Sequence, residues 1–307
     1  VKSLVTGGLG FIGARMCQRL LDEDHEVIVL DIGLAGTRRR IEHPKIKYVF
    51  NDVCRYKETR WLYDNVDYVF HMAAVSRVPA CEENPTIAFN TNYVGTATVL
   101  QCALEAGVKH VVNSSTSAVY GNDGWNDGWG ADEYNTNPIS HYGHSKYHAE
   151  LLCKHYNQQH ELRTTSLRYF NVYGPGEDAS GQYAQVVAIF MDNYRKDQPF
   201  KIFGDGTQMR DFIHVDDVVN VNFKCVTHNF YGPDPYGKTF NVGTGLAHSI
   251  IRIAKAIQPN ETNIVFANYR PGDPHKTLAN TVALENTFNI TPKDRVFDYI
   301  KEQLNEI

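Results

Sequence analysis

Lys2-Ser3-Leu4-Val5-Thr6-Gly7-Gly8-Leu9-Gly10-Phe11-Ile12-Gly13 carries a short apolar run through a glycine-rich turn and directly into a helical pattern, Phe11 to Asp22. Strand, turn and helix in that order let the turn's amides and the helix N-terminus face a pyrophosphate. Gly7 permits the tight turn, Gly10 a close approach, and Gly13 the packing of helix on strand, with Phe11 and Ile12 in the same stretch. Any strand-helix junction favours glycine, so the weight of the reading rests on what surrounds it.

Outward from this stretch, short β-branched runs alternate with longer helical ones, the pattern of a parallel sheet with crossover helices. The further strands are predicted at Glu26 to Leu30, Ile46 to Phe50, Val66 to His71, His110 to Ser114 and Thr164 to Tyr169. Helices are predicted at Lys57 to Tyr63, Pro85 to Ala106 (with Gly107 as its C-cap) and Tyr142 to Gln158. The fold class is α/β, a Rossmann-type doubly wound sheet. Beyond Asn171 the texture turns to Gly- and Pro-rich connections such as Gly174-Pro175-Gly176, Gly204-Asp205-Gly206 and Pro271-Gly272-Asp273, which predicts a smaller, mixed α/β lobe.

Asp31 ends the second strand about 20 residues beyond the glycines, where a carboxylate accepts both ribose hydroxyls of an adenosine and repels a 2′-phosphate. This favours NAD over NADP as cofactor. Arg38-Arg39-Arg40 lies beyond that strand, where it reads either as a solvated loop or as a partner for a 2′-phosphate.

Composition narrows the class without naming a function. A chain of 307 residues with 42% hydrophobic and 21% charged content buries a full core. Its formal net charge of −5 removes the general attraction to nucleic acid or anionic lipid, so neither is expected as a partner. No apolar run reaches membrane-spanning length, and no signal-peptide pattern opens the chain, so a cytoplasmic protein is expected. Six widely spaced cysteines without a C-x-x-C pair read as reduced thiols.

Tyr142-Gly143-His144-Ser145-Lys146 places a phenol and an ammonium four residues apart, on one face of a helix. A free tyrosine titrates near about 10, and a nearby cation favours the phenolate. Tyr-x-x-x-Lys is also one turn of any amphipathic helix. Here it follows Asn113-Ser114-Ser115-Thr116-Ser117, which puts hydroxyls at the carboxyl edge of the sheet, where open α/β folds bind ligands. Thr116 is expected to share the substrate oxygen that Tyr142 deprotonates. The histidines at 141, 144, 148 and 155 lack a metal-site pattern, and no metal is expected.

The same order of motifs resembles the extended short-chain dehydrogenase/reductases, above all the nucleotide-sugar epimerases. The likeness runs nearly end to end through Asn51-Asp52-Val53, His71-Met72-Ala73-Ala74, Asn92-Tyr93-Val94-Gly95-Thr96, Leu167-Arg168-Tyr169-Phe170-Asn171, Gly204 to Phe212 and Arg270-Pro271-Gly272-Asp273. The resemblance implies that Asp52 and Val53 hold adenine, Ala73 and Ala74 a cofactor wall, Asn92 the neighbourhood of the phosphates, and Tyr169 the nicotinamide side, with Ser114, Tyr142 and Lys146 also binding the cofactor. It implies Asn171, Arg210, Arg270 and Asp273 for the sugar nucleotide, as guanidinium groups suit a diphosphate. Residues 1–168 with 211–242 are then the NAD-binding domain, and 169–210 with 243–307 the nucleotide-sugar lobe. Family likeness further implies a homodimer through the Pro85 and Tyr142 helices.

Related dehydratases carry an Asp-Glu pair after the catalytic Thr, and related decarboxylases a Glu two residues after it; this chain has Ser117-Ala118. An epimerase needs neither acid. Thr277 stands where a bulky aromatic marks the simple-hexose enzymes, leaving room for an N-acetyl group. The expectation is C4 epimerisation of a UDP-hexose, plain or N-acetylated, through a transient 4-ketose. A 4-ketoreductase, a C3/C5 epimerase or decarboxylase of the same family, and a non-catalytic NAD-sensing module stay as alternatives. Trp125 and Trp129 either stack on a sugar or pin their own loop.

Overall fold

The strands of the computed structural model, in chain order, are β1 (Lys2–Thr6), β2 (Glu26–Asp31), β3 (Ile46–Phe50), β4 (Tyr68–His71), β5 (His110–Thr116), β6 (Thr164–Tyr169), β7 (Asn171–Tyr173), β8 (Phe200–Phe203), β9 (Met209–His214), β10 (Lys238–Val242), β11 (Ala247–Ser249) and β12 (Ile264–Ala267). The described residues are 1–34, 39–122, 135–179, 185–227, 229–260, 263–269 and 273–306. Arg38, Trp125, Trp129 and Arg270 fall outside them.

Seven strands form one parallel sheet in the order β3-β2-β1-β4-β5-β6-β10. The order reverses between β1 and β4, the switch point that opens a crevice at the carboxyl ends. Successive side chains of a strand point to opposite faces. Val5, Val29, Phe70 and Val112 therefore pack on one side with the helices Phe11–Asp22 and Val215–Val226. Leu4, Ile28, Val69 and Val111 pack on the other with Gly95–Glu105 and His141–His160. Both faces are covered, so the strands read as near-continuous apolar runs. Each fully buried Val or Leu contributes roughly 1.5–3 kcal/mol.

β5 runs two residues further than its sequence predicts, because Ser115 and Thr116 pair with Arg168 and Tyr169 of β6. Polar side chains buried between these strands bridge them: Asn113 Nδ2 donates to Ser166 Oγ at 3.1 Å, and His110 Nε2 meets Thr165 Oγ1 at 2.9 Å.

The predicted Pro85–Ala106 helix is broken into Pro85–Phe89, a π-helical turn Asn90–Val94, and Gly95–Glu105. The wide turn carries the buried Asn92, whose amide is bound outside its own helix (below). Widened turns of this kind recur at functional sites.

The second lobe holds the sheet β11-β9-β7 and the pair β12-β8. Its core gathers Tyr173, Phe190, Phe200, Phe212, Ile253 and Ile300, with Phe190 and Phe200 stacked at 4.8 Å. All six cysteines are free and five are buried. Among the described residues, no helix is long and apolar enough to cross a membrane.

Candidate active site

One cavity of about 1630 Å³ lies between the carboxyl edge of the large sheet and the smaller lobe. Pockets for a single small ligand span roughly 300–1,000 Å³, so this one has room for two ligands end to end. Its lining includes Gly7, Gly10, Phe11, Ile12, Gly13, Asp31, Asp52, Val53, Ala73, Ala74, Ser114, Thr116, Tyr142, Lys146 and Tyr169, and also Asn171, Arg210, Asp273 and Thr277.

At the first end, Gly7 adopts φ +71°, and a Cβ there would stand 2.7 Å from the Ala73 nitrogen. The turn therefore lies against the Met72–Ala73 wall. Gly10 caps the following helix without a side-chain acceptor, leaving the opening amides directed at the cavity's glycine edge. Asp31 braces the turn, accepting from Leu9 N at 3.0 Å and from Gly33 N at 2.8 Å. A carboxylate offers about four acceptor positions, so capacity for ribose hydroxyls is left.

A directed chain of hydrogen bonds holds the wall. Thr96 Oγ1 donates to the Asn92 carbonyl at 2.6 Å and so accepts from His71 Nε2–H at 2.9 Å. His71 Nδ1 then accepts from Thr6 Oγ1 at 2.7 Å, while Thr6 Oγ1 itself accepts from Met72 N and Ala73 N, both at 3.2 Å. Burial pulls the imidazole down to about 3, with the charge of Lys146 acting the same way, so His71 stays neutral. Asn92, expected beside phosphates, does not line the cavity. Its Oδ1 accepts from Val75 N at 2.8 Å and its Nδ2 donates to Val75 O at 3.0 Å and Ser145 Oγ at 2.9 Å. It ties the wall to the Tyr142 helix.

That helix, His141–His160, is capped by Ser140 Oγ, which accepts from Gly143 N at 3.0 Å. Tyr142 and Lys146 both face the cavity from it. Lys146 is 2% exposed, and its Nζ has no hydrogen-bond partner among the described residues. Burial pulls its ammonium down to about 8. Tyr142 is pushed up to about 12 by burial, against a hydrogen bond with Thr116 that lowers it. Burial, not Lys146, sets the direction at Tyr142: both head groups have lost water, and desolvation disfavours either charge. Thr116 Oγ1 accepts from Ala118 N at 3.1 Å, which leaves its hydrogen to donate.

A buried ammonium without an acceptor is costly, and its place on the lining of the cavity that Tyr142 and the glycine turn share suits the hydroxyls of a dinucleotide's ribose. Together with Asp31 and the uncapped helix start, the residues fit NAD. Tyr169 OH donates to Asn222 Oδ1 at 2.9 Å and meets Ser114 Oγ at 3.0 Å, so its ring is held rigidly beside this end.

Beneath it, Arg168 forms a two-pronged pair with Glu150 at 3.0 and 2.7 Å, Ser115 Oγ also donates to Glu150, and Arg168 Nη1 donates to Tyr120 OH at 2.8 Å. This buried network fixes the strand ends that carry Thr116 and Tyr169. Glu150 was not singled out from sequence; its signal is its place one turn beyond Lys146.

At the second end, Arg210 Nη2 binds Asp273 Oδ1 at 2.6 Å, and Asn171 Nδ2 donates to Asp211 O at 3.0 Å and approaches Thr277 Oγ1 at 3.4 Å. Asp211 is fully buried and accepts from Thr244 N, Thr244 Oγ1, Gly245 N and Ala279 N at 2.8 to 3.1 Å, locking β9 to the chain beyond it. Val186, Ile189, Phe190, Phe203 and Ile250 make this end apolar. Gln208 lies among them; its Nε2 donates to Phe203 O at 2.6 Å, while its buried Oε1 has no partner among the described residues. Glu177, also on the cavity, is pushed up to about 7 by burial. Sequence reasoning gave neither a role of its own, although Gln208 sits inside a quoted motif.

Residues 3–243 match the family described as the NAD dependent epimerase/dehydratase family. The chain belongs to this family. Among relatives of this epimerase/dehydratase, the UDP-glucose 4-epimerase of Mycolicibacterium smegmatis is 33% identical over 263 residues, 84% of this chain and 82% of that one. The solved UDP-glucose 4-epimerase of Thermotoga maritima with UDP-glucose superposes at a TM-score of 0.91 and 29% identity, covering 100% of this chain and 99% of that one. The Thermus thermophilus UDP-glucose 4-epimerase in complex with NAD gives 0.86 at 28% identity over 100% of both chains. No group of three or more metal-ligating side chains occurs among the described residues of this family member.

Proposed function

We propose that the protein is a nucleotide-sugar 4-epimerase that holds NAD and interconverts UDP-hexoses, with or without a 2-N-acetyl group. The observation that carries this is the partnerless Lys146 ammonium buried beside Tyr142 and Thr116, in a cavity with room for two ligands. Bound NAD supplies the hydride acceptor and donor at the sugar's C4. Residues 1–168 with 211–242 form the cofactor-binding part in this reading, and 169–210 with 243–307 the sugar-nucleotide part.

Tyr142, brought to its phenolate form when the Lys146 ammonium and bound NAD place positive charge beside it, takes the proton of the 4-hydroxyl while Thr116 donates to the same oxygen. Lys146, once its ammonium is bound to ribose hydroxyls, holds positive charge near the phenol. Arg210 holds the diphosphate, Asn171 positions the sugar, and the Gln208 acceptor takes an N–H or O–H of the nucleoside. The 4-keto sugar turns within the cavity, and Tyr142 returns the proton with the C4 configuration inverted.

Ser117 and Ala118 line the cavity directly after Thr116. They offer no acid or base to a C5–C6 elimination, which supports epimerisation over dehydration. Thr277, also on the lining, supports room for an N-acetyl group. Leu151, exposed on the Tyr142 helix away from the cavity, supports a homodimer through that face, and the free thiols support a cytoplasmic setting.

Purified protein incubated with UDP-glucose, UDP-galactose and their N-acetyl forms, without added NAD, is the test. Products resolved by anion-exchange chromatography should be the C4 epimers, and Tyr142→Phe should abolish them. No turnover of any of the four, with or without NAD, would remove the UDP-hexose reading.

A further inference from the structure

The basic run after β2 has no part in the reading above. Arg40 is exposed, with its guanidinium over the Tyr48 ring at 4.9 Å. Arg39 is half-buried and turned the other way. Its Nε and Nη2 both donate to the Gly176 carbonyl, at 3.0 and 2.8 Å, and its Nη1 reaches the Leu9 carbonyl at 3.4 Å.

These two carbonyls belong to turns whose neighbours, Gly7 and Gly10 on one side and Glu177 on the other, line the cavity. Leu9 sits in the glycine turn between β1 and its helix, and Gly176 in the turn after β7, next to the cavity-lining Glu177. The planar guanidinium presents several N–H donors in a fixed fork, which lets one side chain hold both turns. With its Nε, Nη1 and Nη2 groups all turned to carbonyls, and with the Asp31 carboxylate at the end of β2, Arg39 is poorly placed to serve a 2′-phosphate.

We infer that Arg39 is a cofactor-retention latch: it bridges the pyrophosphate-facing turn to the second lobe, and a dinucleotide leaves only when that bridge opens. The inference rests on the proposal that the cavity holds NAD. Retention matters to an epimerase in particular, because the cofactor must be reduced and reoxidised within one encounter. If the reduced form escaped, a keto sugar would be stranded on the enzyme.

The test is the release of radiolabelled NAD from the full-length protein, chased with excess unlabelled NAD and followed by rapid filtration at low and high salt. Wild type, Arg39→Ala and Arg39→Lys are compared. Both variants should release NAD at least about tenfold faster, which corresponds to about 1.4 kcal/mol. Lysine should not rescue, because a single ammonium lacks the fork. Wild-type release should change little with salt, and UDP binding should be unaltered in both variants, as a control for an intact second lobe.

Bound NAD with wild-type release in Arg39→Ala would overturn the latch and leave the cofactor reading standing. Full rescue by lysine together with salt-accelerated release in wild type would also overturn it, in favour of plain attraction to phosphate. A wild-type protein that binds no NAD would remove the cofactor reading itself.

Discussion

A Cβ built on Gly143 would stand 2.6 Å from the carbonyl oxygen of Ala118. The Tyr142 helix therefore rests its backbone on the turn that follows Thr116, and this contact brings phenol and hydroxyl together. Gly143→Ala should push the two apart. The expected result is a fall in kcat of at least about tenfold, with a stability loss of roughly 1–3 kcal/mol, the usual cost of overpacking. Steady-state kinetics and denaturant unfolding check it.

Tyr142→Phe removes the group that moves the proton and keeps the ring. General acid–base catalysis is worth about 10²–10⁴-fold, and kcat should fall by that factor while NAD binding persists. Equal loss of NAD affinity would mean that the phenol serves the cofactor instead.

Lys146 gives a pH signature. Its ammonium, at about 8 in the fold and 10.5 when free, is disfavoured by burial. Below pH 8 both states carry the proton and the full penalty is present. Between about 8 and 10.5 the unfolded chain binds more protons, so stability rises with pH in that window. Lys146→Met should therefore stabilise the NAD-free protein at neutral pH, by roughly 2–4 kcal/mol, while abolishing activity. The difference between variant and wild type should shrink as pH rises towards 10.5, which denaturant titrations at several pH values measure.

Gln208→Leu removes the buried acceptor that has no partner among the described residues. A hydrogen bond contributes roughly 0.5–1.5 kcal/mol net, so the KM for a UDP-sugar should rise about two- to tenfold. In the ligand-free protein the lost Nε2 bond to the Phe203 carbonyl opposes the relief of the unpaired acceptor, so unfolding should shift by no more than about 1 kcal/mol.

The fold was legible where local pattern and tertiary demand agree. Gly7 to Gly13, the alternating pairs Leu4/Val5 and Val111/Val112, and the Tyr142/Lys146 spacing each state their structure in adjacent residues. The π-helical turn at Asn90–Val94 was not legible, because helical periodicity runs through it and the bonds of Asn92 to Val75 and Ser145 are tertiary. Burial shifts the titration of Lys146, Tyr142 and Glu177, and spacing along the chain does not report burial. Arg39 reads as a solvated cation until the fold brings Gly176 to it.

The measurement that tests the central claim most directly uses UDP-galactose deuterated at C4, incubated with purified protein and no added NAD. The account predicts UDP-glucose that still carries deuterium on C4, since what leaves that carbon comes back to its opposite face. UDP-glucose with solvent hydrogen at C4, or no UDP-glucose at all, would contradict it.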